Sequence, residues 1–338
     1  MTMSETVNSR ILGLGHYLPE RVVTNDDLTH VMDTSDEWIQ QRTGIRERRF
    51  IARDTGGADL GAVAARDALA AAGVKAADLD LLLVGTLSPD VDVPGNASFL
   101  QRNLGIRGMP VMDVRNQCSG FLYMLAVADS FIRSGGARYV LVVGAEIHST
   151  GLDLSTVGRE VAVIFGDGAG AAVLGPEPDP RRGIFSVHLH SEGRYAEKLM
   201  VEAPSSKVRP RVTEDMLEDP GSRLWPRMEG RYVFKHAVTR FPEVIQEALA
   251  ANGHTIADLD LLIPHQANLR ISQMVAMGLE LPEEKVFNNI QRYGNTTAAS
   301  IPIALHEAVE QGRVKPGALV CLAAFGAGFT WAAALMRW

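Results

Sequence analysis

The sequence has few of the features that mark secreted, metal-binding or membrane-spanning proteins. Only two cysteines, Cys118 and Cys321, occur in 338 residues, which is too few for a disulfide framework and makes a reducing cytoplasm the expected location. No group of Cys and His has the spacing of a zinc site, so we expect no metal. The longest apolar stretches, such as residues 161–165, are far shorter than the about 20 residues that cross a bilayer, and we expect no membrane partner.

An excess of positive charge is also lacking. The chain carries 33 Lys and Arg against 40 Asp and Glu, a formal net charge of −7, and its longest basic run is residues 46–49. We therefore expect no nucleic-acid partner. A hydrophobic fraction of 46% beside 22% charged residues is typical of a globular protein, and the length is sufficient for two modules of ordinary size.

An internal repeat supports the division into two modules. Residues 68–73 (ALAAAG) match residues 248–253 (ALAANG), and residues 77–82 (ADLDLL) match residues 257–262 with the same offset of 180. Self-similarity at a fixed offset indicates duplication. We expect a boundary between residues 1–180 and residues 181–338, with helices covering a parallel or mixed sheet in each half.

The stretch around Cys118 predicts a strand, a turn and a helix. Residues 111–114 are typical of a buried strand, and the apolar spacing of residues 122–132 predicts a helix. At the first turn of a helix, a thiol faces unpaired N–H groups and the positive end of the helix dipole, which favour the thiolate. From these residues alone, a small buried Cys that closes the turn is an equally good interpretation.

Polar residues and glycines follow the predicted strands of the second half. His265, Asn295 and the glycine-rich turn at residues 324–328 each have an ordinary structural explanation when taken singly. Ligands of α/β proteins bind at the carboxyl ends of strands, so we expect these segments to share one cleft with Cys118. They would supply a nucleophile, a base or hydrogen-bond donor, an amide and spare backbone N–H groups, which is a set suited to acyl transfer.

Several motifs, in a fixed order along the chain, carry a resemblance to a known family. They are Asp36-Glu37-Trp38, Cys118-Ser119-Gly120-Phe121, Phe165-Gly166-Asp167-Gly168-Ala169-Gly170, Pro264-His265-Gln266-Ala267-Asn268, Gly294-Asn295-Thr296 and Gly328-Phe329-Thr330-Trp331. Together they resemble β-ketoacyl synthase III of the thiolase superfamily over nearly the whole chain. The resemblance implies an α/β, thiolase-like fold in which two duplicated βα halves form a five-layered αβαβα arrangement.

The resemblance also implies a catalytic site made of Cys118, His265 and Asn295. Cys118 would accept an acyl group from acyl-CoA, with the backbone N–H groups of Cys118 and Ala327 as the oxyanion hole. His265 and Asn295 would bind a malonyl thioester and stabilise the enolate that forms as carbon dioxide leaves, giving a 3-ketoacyl product. Acyl-CoA and the malonyl thioester are substrates, and no cofactor is expected.

Further residues match binding positions of the family. Trp38 and Arg159 would sandwich the CoA adenine, Arg42 would lie near the CoA phosphates, and Asn268 would meet the pantetheine arm. Lys235 and Arg270 match part of a basic patch that binds acyl carrier protein (ACP). The family also implies a homodimer.

Three departures from the family leave the substrate open. Val93 lies where many members place an aromatic residue that closes the acyl pocket, so we expect a primer that is longer than acetyl or branched. Met277 and Gly278 replace lysines of the carrier patch, so the malonyl donor could be carried by ACP or by CoA. Residues 196–228 are longer than expected, and a surface loop is favoured over a lid.

Other functions remain open at this point. An acyltransferase or a non-decarboxylating condensing enzyme of the same fold is the main alternative, although the amide of Asn295 cannot take up a proton at neutral pH and so disfavours the acyltransferase. A thiolase needs a second reactive cysteine, whereas Cys321 lies inside an apolar strand. A non-catalytic partner subunit should have lost the nucleophile, and Cys118 is present.

Overall fold

The computed structural model describes residues 7–219 and 221–338. Its strands are β1 (Asn8–Tyr17), β2 (Arg21–Thr24), β3 (Glu47–Phe50), β4 (Leu81–Gly85), β5 (Val111–Val114), β6 (Val140–Glu146), β7 (Gly168–Glu177), β8 (Gly183–Ser191), β9 (Leu199–Met200), β10 (Arg227–Met228), β11 (Leu261–Pro264), β12 (Leu319–Gly326) and β13 (Thr330–Arg337). Its helices are α1 (Asn25–Thr29), α2 (Asp36–Thr43), α3 (Gly57–Ala72), α4 (Asn96–Asn103), α5 (Gly120–Arg133), α6 (Arg159–Ala162), α7 (Glu214–Glu218), α8 (Gly230–Ala251), α9 (Leu269–Gly278), α10 (Ile290–Tyr293) and α11 (Ser300–Glu310).

Two mixed sheets form the framework. The first has the strand order β1-β7-β6-β4-β5 and draws only on residues 8–177, whereas the second has the order β11-β12-β13-β8 and draws on residues 183–337. In the first, β4 runs parallel to β5 and β6, and β7 is antiparallel to β6. In the second, β11 is parallel to β12, and β13 is antiparallel to β12. Each half therefore contains a mixed sheet, as the sequence predicted.

The helices complete five layers. Helices α5 and α11 lie between the two sheets and share with both a core of buried apolar side chains. Helices α3 and α4 cover the outer face of the first sheet, and α8 and α9 cover the outer face of the second. A helix held between two sheets must be apolar on more than one side, and the adjacent Met124 and Leu125 of α5 are both fully buried. The predicted five-layered, thiolase-like arrangement is confirmed.

The two halves reproduce the same turn before each central helix. Residues 117–119 and residues 297–299 form 3-10 turns at the offset of 180, and they lead directly into α5 and α11. Each turn begins at a residue with a positive φ, Gln117 at 39° and Thr297 at 48°. Since residues other than glycine rarely adopt a positive φ, both turns are strained. The one carries Cys118 and the other follows Asn295.

The prediction that residues 111–114 are buried is wrong. They form the strand β5, as expected, but β5 is the edge strand of its sheet and pairs only with β4. Met112 is 38% exposed and Asp113 is also exposed. The apolar composition of the strand was read as burial inside this chain, although an apolar edge can also be covered by a second copy.

The repeat of the sequence is also visible at the start of two strands. Strands β4 and β11 begin at Leu81 and Leu261, 180 residues apart. Short 3-10 turns at residues 76–78 and 256–258 precede them. Within the described residues, no helix is long and apolar enough to cross a membrane.

Candidate active site

Cys118 lies in the turn between β5 and α5, where backbone N–H groups converge on its sulfur. The N–H groups of Ala327 and of Cys118 itself both lie close to the thiol and lower its pKa. The close approach requires glycine at position 326, because a Cβ there would lie 2.8 Å from Sγ and 2.4 Å from Cβ of Cys118. The structure therefore brings together the two residues expected to form an oxyanion hole.

Backbone N–H groups at this turn favour the thiolate, as expected, but theirs is not the largest effect on the pKa of Cys118. Burial raises the pKa of Cys118 to about 12, and the negative charge of Glu146 acts in the same direction. The two backbone N–H groups lower the pKa by less than burial raises it. Helix α5 starts at Gly120, two residues later, and a thiolate shielded from water loses its hydration. The thiol is therefore protonated at neutral pH in this structure.

Glu146, at the end of β6, connects the segments around the thiol. Its carboxylate accepts hydrogen bonds from the Ser88 hydroxyl (2.8 Å), the Thr86 hydroxyl (3.2 Å) and the Leu87 N–H (3.1 Å). The Ala298 N–H is also close enough to lower the pKa of this carboxylate. Burial raises the pKa of Glu146 to about 7 despite these donors. The Glu146 side chain therefore connects the end of β6 to residues 86–88 and to the turn after Asn295.

His265 follows β11 directly and is almost fully buried, at 2% exposure. Its Nδ1 lies 2.6 Å from the Ser300 hydroxyl, which also accepts the Gln266 N–H. The direction of the hydrogen bond between Nδ1 and the hydroxyl depends on the tautomer. In the tautomer in which Ser300 donates to Nδ1, the ring proton lies on Nε2. Nε2 is buried and has no hydrogen-bond partner among the described residues. Burial, with the nearby His148, lowers the pKa of His265 to about 3, so the ring is a neutral donor.

The carboxamide of Asn295 has a fixed orientation. Its Oδ1 accepts the Thr297 N–H at 2.8 Å, and its backbone N–H donates to the Ile164 carbonyl at 2.8 Å. Because Oδ1 is engaged, the Nδ2 group remains as a donor, and it makes no hydrogen bond within the described parts of the chain. Asn295 is buried, at 5% exposure.

The turn at residues 297–299 connects the segments that carry Cys118, His265 and Asn295. It contacts the turn that carries Cys118, and the Ala298 side chain lies 3.5 Å from where a Cβ of Gly120 would be. Asn295 is bonded to the same turn, and Ser300, the partner of His265, begins the helix that follows it. Cys118 and His265 follow the strands β5 and β11, as the strand-end argument predicted. The prediction is wrong for Asn295, which follows helix α10.

The four residues expected to contact CoA also lie together, near the surface. The guanidinium carbons of Arg42 and Arg159 lie 4.4 Å and 5.0 Å from the centre of the Trp38 ring. Asn268 donates from Nδ2 to the Arg42 carbonyl at 3.0 Å. Arg159 is also paired with Asp33 at 3.6 Å. We call Trp38, Arg42, Arg159 and Asn268 the Trp38 platform.

The remaining predicted residues lie on the surface. Val93 is 82% exposed. Lys235 and Arg270 are exposed on α8 and α9, which pack against each other, and Met277 of α9 is 66% exposed. An open cavity of about 550 Å³ lies not at Cys118 but beside β9 and β10, in the long segment 196–228.

Comparison with known proteins gives the family. Two family models, described as the C-terminal part of 3-oxoacyl-[acyl-carrier-protein] synthase III and as 3-oxoacyl-[acyl-carrier-protein] synthase III, match residues 249–338 and 112–193. The chain is 49% identical to β-ketoacyl-[acyl-carrier-protein] synthase III of Xanthomonas euvesicatoria, over 99% of this chain and 100% of that one. The chain belongs to the β-ketoacyl-ACP synthase III family. It is therefore a condensing enzyme of the acyltransferase class.

Solved structures of the synthase III family agree with this assignment. The 3-oxoacyl-[acyl-carrier-protein] synthase III of Aquifex aeolicus matches with a TM-score of 0.89 and 43% identity, over 98% of this chain and 100% of that one. The priming β-ketosynthase of the R1128 polyketide pathway matches with a TM-score of 0.89 and 36% identity, over 100% of this chain and 98% of that one.

Sequence reasoning missed several residues that surround the site of this synthase. Glu146, His148, Thr297 and Ser300 are all buried and hydrogen-bonded within it. A signal existed for the first two, because a carboxylate and an imidazole at the end of the apolar strand β6 need buried partners. Among the described residues, no group of three or more His, Cys, Asp or Glu is placed to hold a metal ion.

Proposed function

We propose that this synthase transfers an acyl group from acyl-CoA to Cys118 and joins it to a malonyl thioester by decarboxylative Claisen condensation. The observation that carries the proposal is the convergence of two kinds of donor. The backbone N–H groups of Cys118 and Ala327 lie close to the sulfur of Cys118. The Nε2 atom of His265 is buried and has no hydrogen-bond partner in the described structure. The first can hold an oxyanion formed at the nucleophile, and the second can hold an enolate.

The acyl transfer is the first step. The sulfur of Cys118 attacks the thioester carbonyl as the thiol loses its proton, and the resulting oxyanion is held by the N–H groups of Cys118 and Ala327. Collapse of this intermediate breaks the bond to CoA, which leaves as a thiol after it takes up the proton. Because the pKa of Cys118 is raised by burial, the proton must leave in concert with attack.

The condensation is the second step. The malonyl thioester carbonyl accepts hydrogen bonds from Nε2 of His265 and Nδ2 of Asn295. The bond to the carboxylate then breaks, carbon dioxide leaves, and the electron pair forms an enolate. Its carbon attacks the acyl-Cys118 carbonyl, and the sulfur leaves as a thiolate that takes up a proton from solvent. A 3-ketoacyl thioester is released, and the thiol is regenerated. A neutral imidazole suits this role because it donates without transferring its proton to the substrate.

We propose acyl-CoA and malonyl-ACP as the substrates, and the scheme assigns no step to a metal or a redox cofactor. The Trp38 platform provides an aromatic face and two cations for an adenine and its phosphates. Lys235 and Arg270 would meet the acidic carrier, with malonyl-CoA as the alternative donor because Met277 and Gly278 offer no charge. These substrates are cytoplasmic, and we propose the same location for the enzyme.

We also propose a homodimer in which the partner covers Val93. The apolar edge of β5 is open in the single chain, and Val93 is 82% exposed. Pairing of two β5 edges would bury both features. A valine at the end of the partner's acyl pocket leaves more room than an aromatic residue, and this favours a longer or branched primer. Sedimentation of the wild type and of Met112→Asp tests the dimer, and a monomeric wild type would contradict it.

Intact-protein mass spectrometry followed by product analysis tests the reaction. The protein is incubated with a series of acyl-CoAs, and malonyl-ACP or malonyl-CoA is then added. We expect one acyl group on Cys118, none on Cys118→Ala, and then carbon dioxide with a 3-ketoacyl product. Acyl loading without release of carbon dioxide would indicate an acyltransferase or a non-decarboxylating condensing enzyme. No loading from any acyl-CoA would indicate a non-catalytic subunit.

A further inference from the structure

His148 is a buried imidazole that the proposed reaction does not use. It lies just beyond the end of β6 and is 7% exposed. Its Nε2 is 2.6 Å from the hydroxyl of Thr297, and its ring packs against Phe165 at a centroid distance of 4.5 Å. The His148 N–H donates to Asp167 at 2.7 Å. The ring therefore packs against Phe165, the backbone is anchored to Asp167, and Nε2 faces Thr297.

Thr297 occupies a conformation that a β-branched residue rarely adopts. Its φ is 48°, and such a conformation costs on the order of 1–3 kcal/mol unless surrounding contacts hold it. Two contacts do so here. The hydroxyl is bonded to His148, and the backbone N–H is bonded to Oδ1 of Asn295 at 2.8 Å.

We propose that His148 is a positioning residue that orients the carboxamide of Asn295 through Thr297. The imidazole fixes the Thr297 hydroxyl, and this contact holds the strained backbone of Thr297. The backbone N–H then fixes Oδ1 of Asn295, so that Nδ2 is presented to the malonyl thioester. The inference deepens the proposed function and rests on it, because it gives His148 an effect on the second step of that reaction.

This arrangement predicts an effect on only one half of the reaction. The oxyanion hole for acyl loading is made by Cys118 and Ala327, and neither is hydrogen-bonded to His148 or Thr297 within the described structure. Loss of the His148 contact should therefore weaken decarboxylation and leave acylation of Cys118 unchanged. A purely structural role for His148 would affect both steps together.

Matched variants test the inference on the full-length enzyme. His148→Leu removes the ring nitrogen, and Thr297→Val removes the hydroxyl while keeping the shape of the threonine side chain. His148→Gln and Thr297→Ser can retain the hydrogen bond. We expect the first pair to release carbon dioxide from malonyl-ACP about 10-fold to 100-fold more slowly, with acylation by acyl-CoA within about twofold of the wild type. The second pair should recover most of the rate. The double variant His148→Leu/Thr297→Val should be no slower than either single variant.

A second readout does not depend on activity. The Thr297 N–H is protected by Asn295, so amide hydrogen exchange of a peptide that covers residues 290–300 should be faster in His148→Leu than in His148→Gln. Equal loss of both half-reactions in His148→Leu, or additive losses in the double variant, would overturn the inference. Exchange that is unchanged in His148→Leu would also overturn it. A wild type that releases no carbon dioxide would contradict the proposed function, while the exchange result would still report on the His148 contact.

Discussion

The backbone N–H of Ala327 lies close to the sulfur of Cys118 and lowers its pKa, although the two residues belong to opposite halves of the chain. The contact exists because β12 ends at Gly326, whose missing side chain leaves room for Cys118. The nucleophile and one of its two backbone donors are therefore contributed by different sheets. Any change that separates the sheets at this point should disable acyl transfer before it unfolds the protein.

Gly326→Ala tests this contact. The added methyl group would lie 2.4 Å from Cβ of Cys118, so the turn must shift and the Ala327 N–H must move from the sulfur. We expect acylation of Cys118 to fall by at least about 100-fold. Gly193→Ala is a control, because its Cβ would meet nothing within 4 Å. If Gly326→Ala loads acyl groups as fast as the control, the close approach is not needed.

The reactivity of Cys118 should depend on pH and on Glu146. Because burial raises its pKa to about 12, alkylation by iodoacetamide in a Cys321→Ala background should accelerate about tenfold per pH unit between pH 7 and 9, without a plateau. Glu146→Gln removes a negative charge that also raises this pKa. It should speed alkylation above about pH 7, where Glu146 is ionised. A plateau near pH 7 would show a thiolate stabilised by the helix terminus instead.

Stability should depend on pH through Glu146. Burial raises its pKa to about 7 from an ordinary value of 4.5, so the folded state binds the proton more tightly than the unfolded chain does. This contribution is fully present below about pH 4.5 and is lost as pH rises through about 7. Denaturant unfolding at pH 5 and pH 8 should therefore show a larger decline for the wild type than for Glu146→Gln. Parallel declines would contradict the assignment.

The Trp38 platform should affect CoA thioesters only. Trp38→Ala removes the ring that both guanidinium groups approach, and we expect the KM for acyl-CoA to rise about tenfold with little change in kcat. The same acyl group on a short thiol without adenine or phosphates is the internal control, and its kinetics should not change. An equal effect on both substrates would mean that Trp38 supports the fold rather than the nucleotide.

Primer choice should follow the size of residue 93. Val93→Phe should shift preference toward acetyl-CoA and away from octanoyl-CoA, because an aromatic ring from the partner subunit would fill the end of the pocket. Val91→Phe, at a neighbouring exposed position, is the matched control and should change neither rate. A wild type that already prefers acetyl-CoA strongly would contradict the expectation of a longer or branched primer.

The sequence predicted the parts of the site that stand at strand ends and did not predict what orients them. Cys118 and His265 could be found because each follows a predicted apolar strand, and Asn295 because it stands in the motif Gly294-Asn295-Thr296. The hydrogen bonds of His265 to Ser300 and of His148 to Thr297 depend on how two helices and two turns meet. No local pattern encodes such a meeting.

The sequence also did not predict how deeply some residues are buried. The apolar composition of β5 predicts an interior strand, but β5 lies at the edge of its sheet. The dipole argument for Cys118 considered the helix and not the loss of water around the sulfur, which raises its pKa. In both cases the local sequence pattern predicts the element itself. The burial of β5 and the pKa of Cys118 also depend on residues from distant parts of the chain.

The two half-reactions, measured separately in His265→Ala and Asn295→Ala, test the central claim most directly. We expect both variants to accept one acyl group on Cys118 at close to the wild-type rate. We expect both to release carbon dioxide from malonyl-ACP at least about 100-fold more slowly than the wild type. Decarboxylation at the wild-type rate in both variants, with Cys118 fully acylated, would contradict the account.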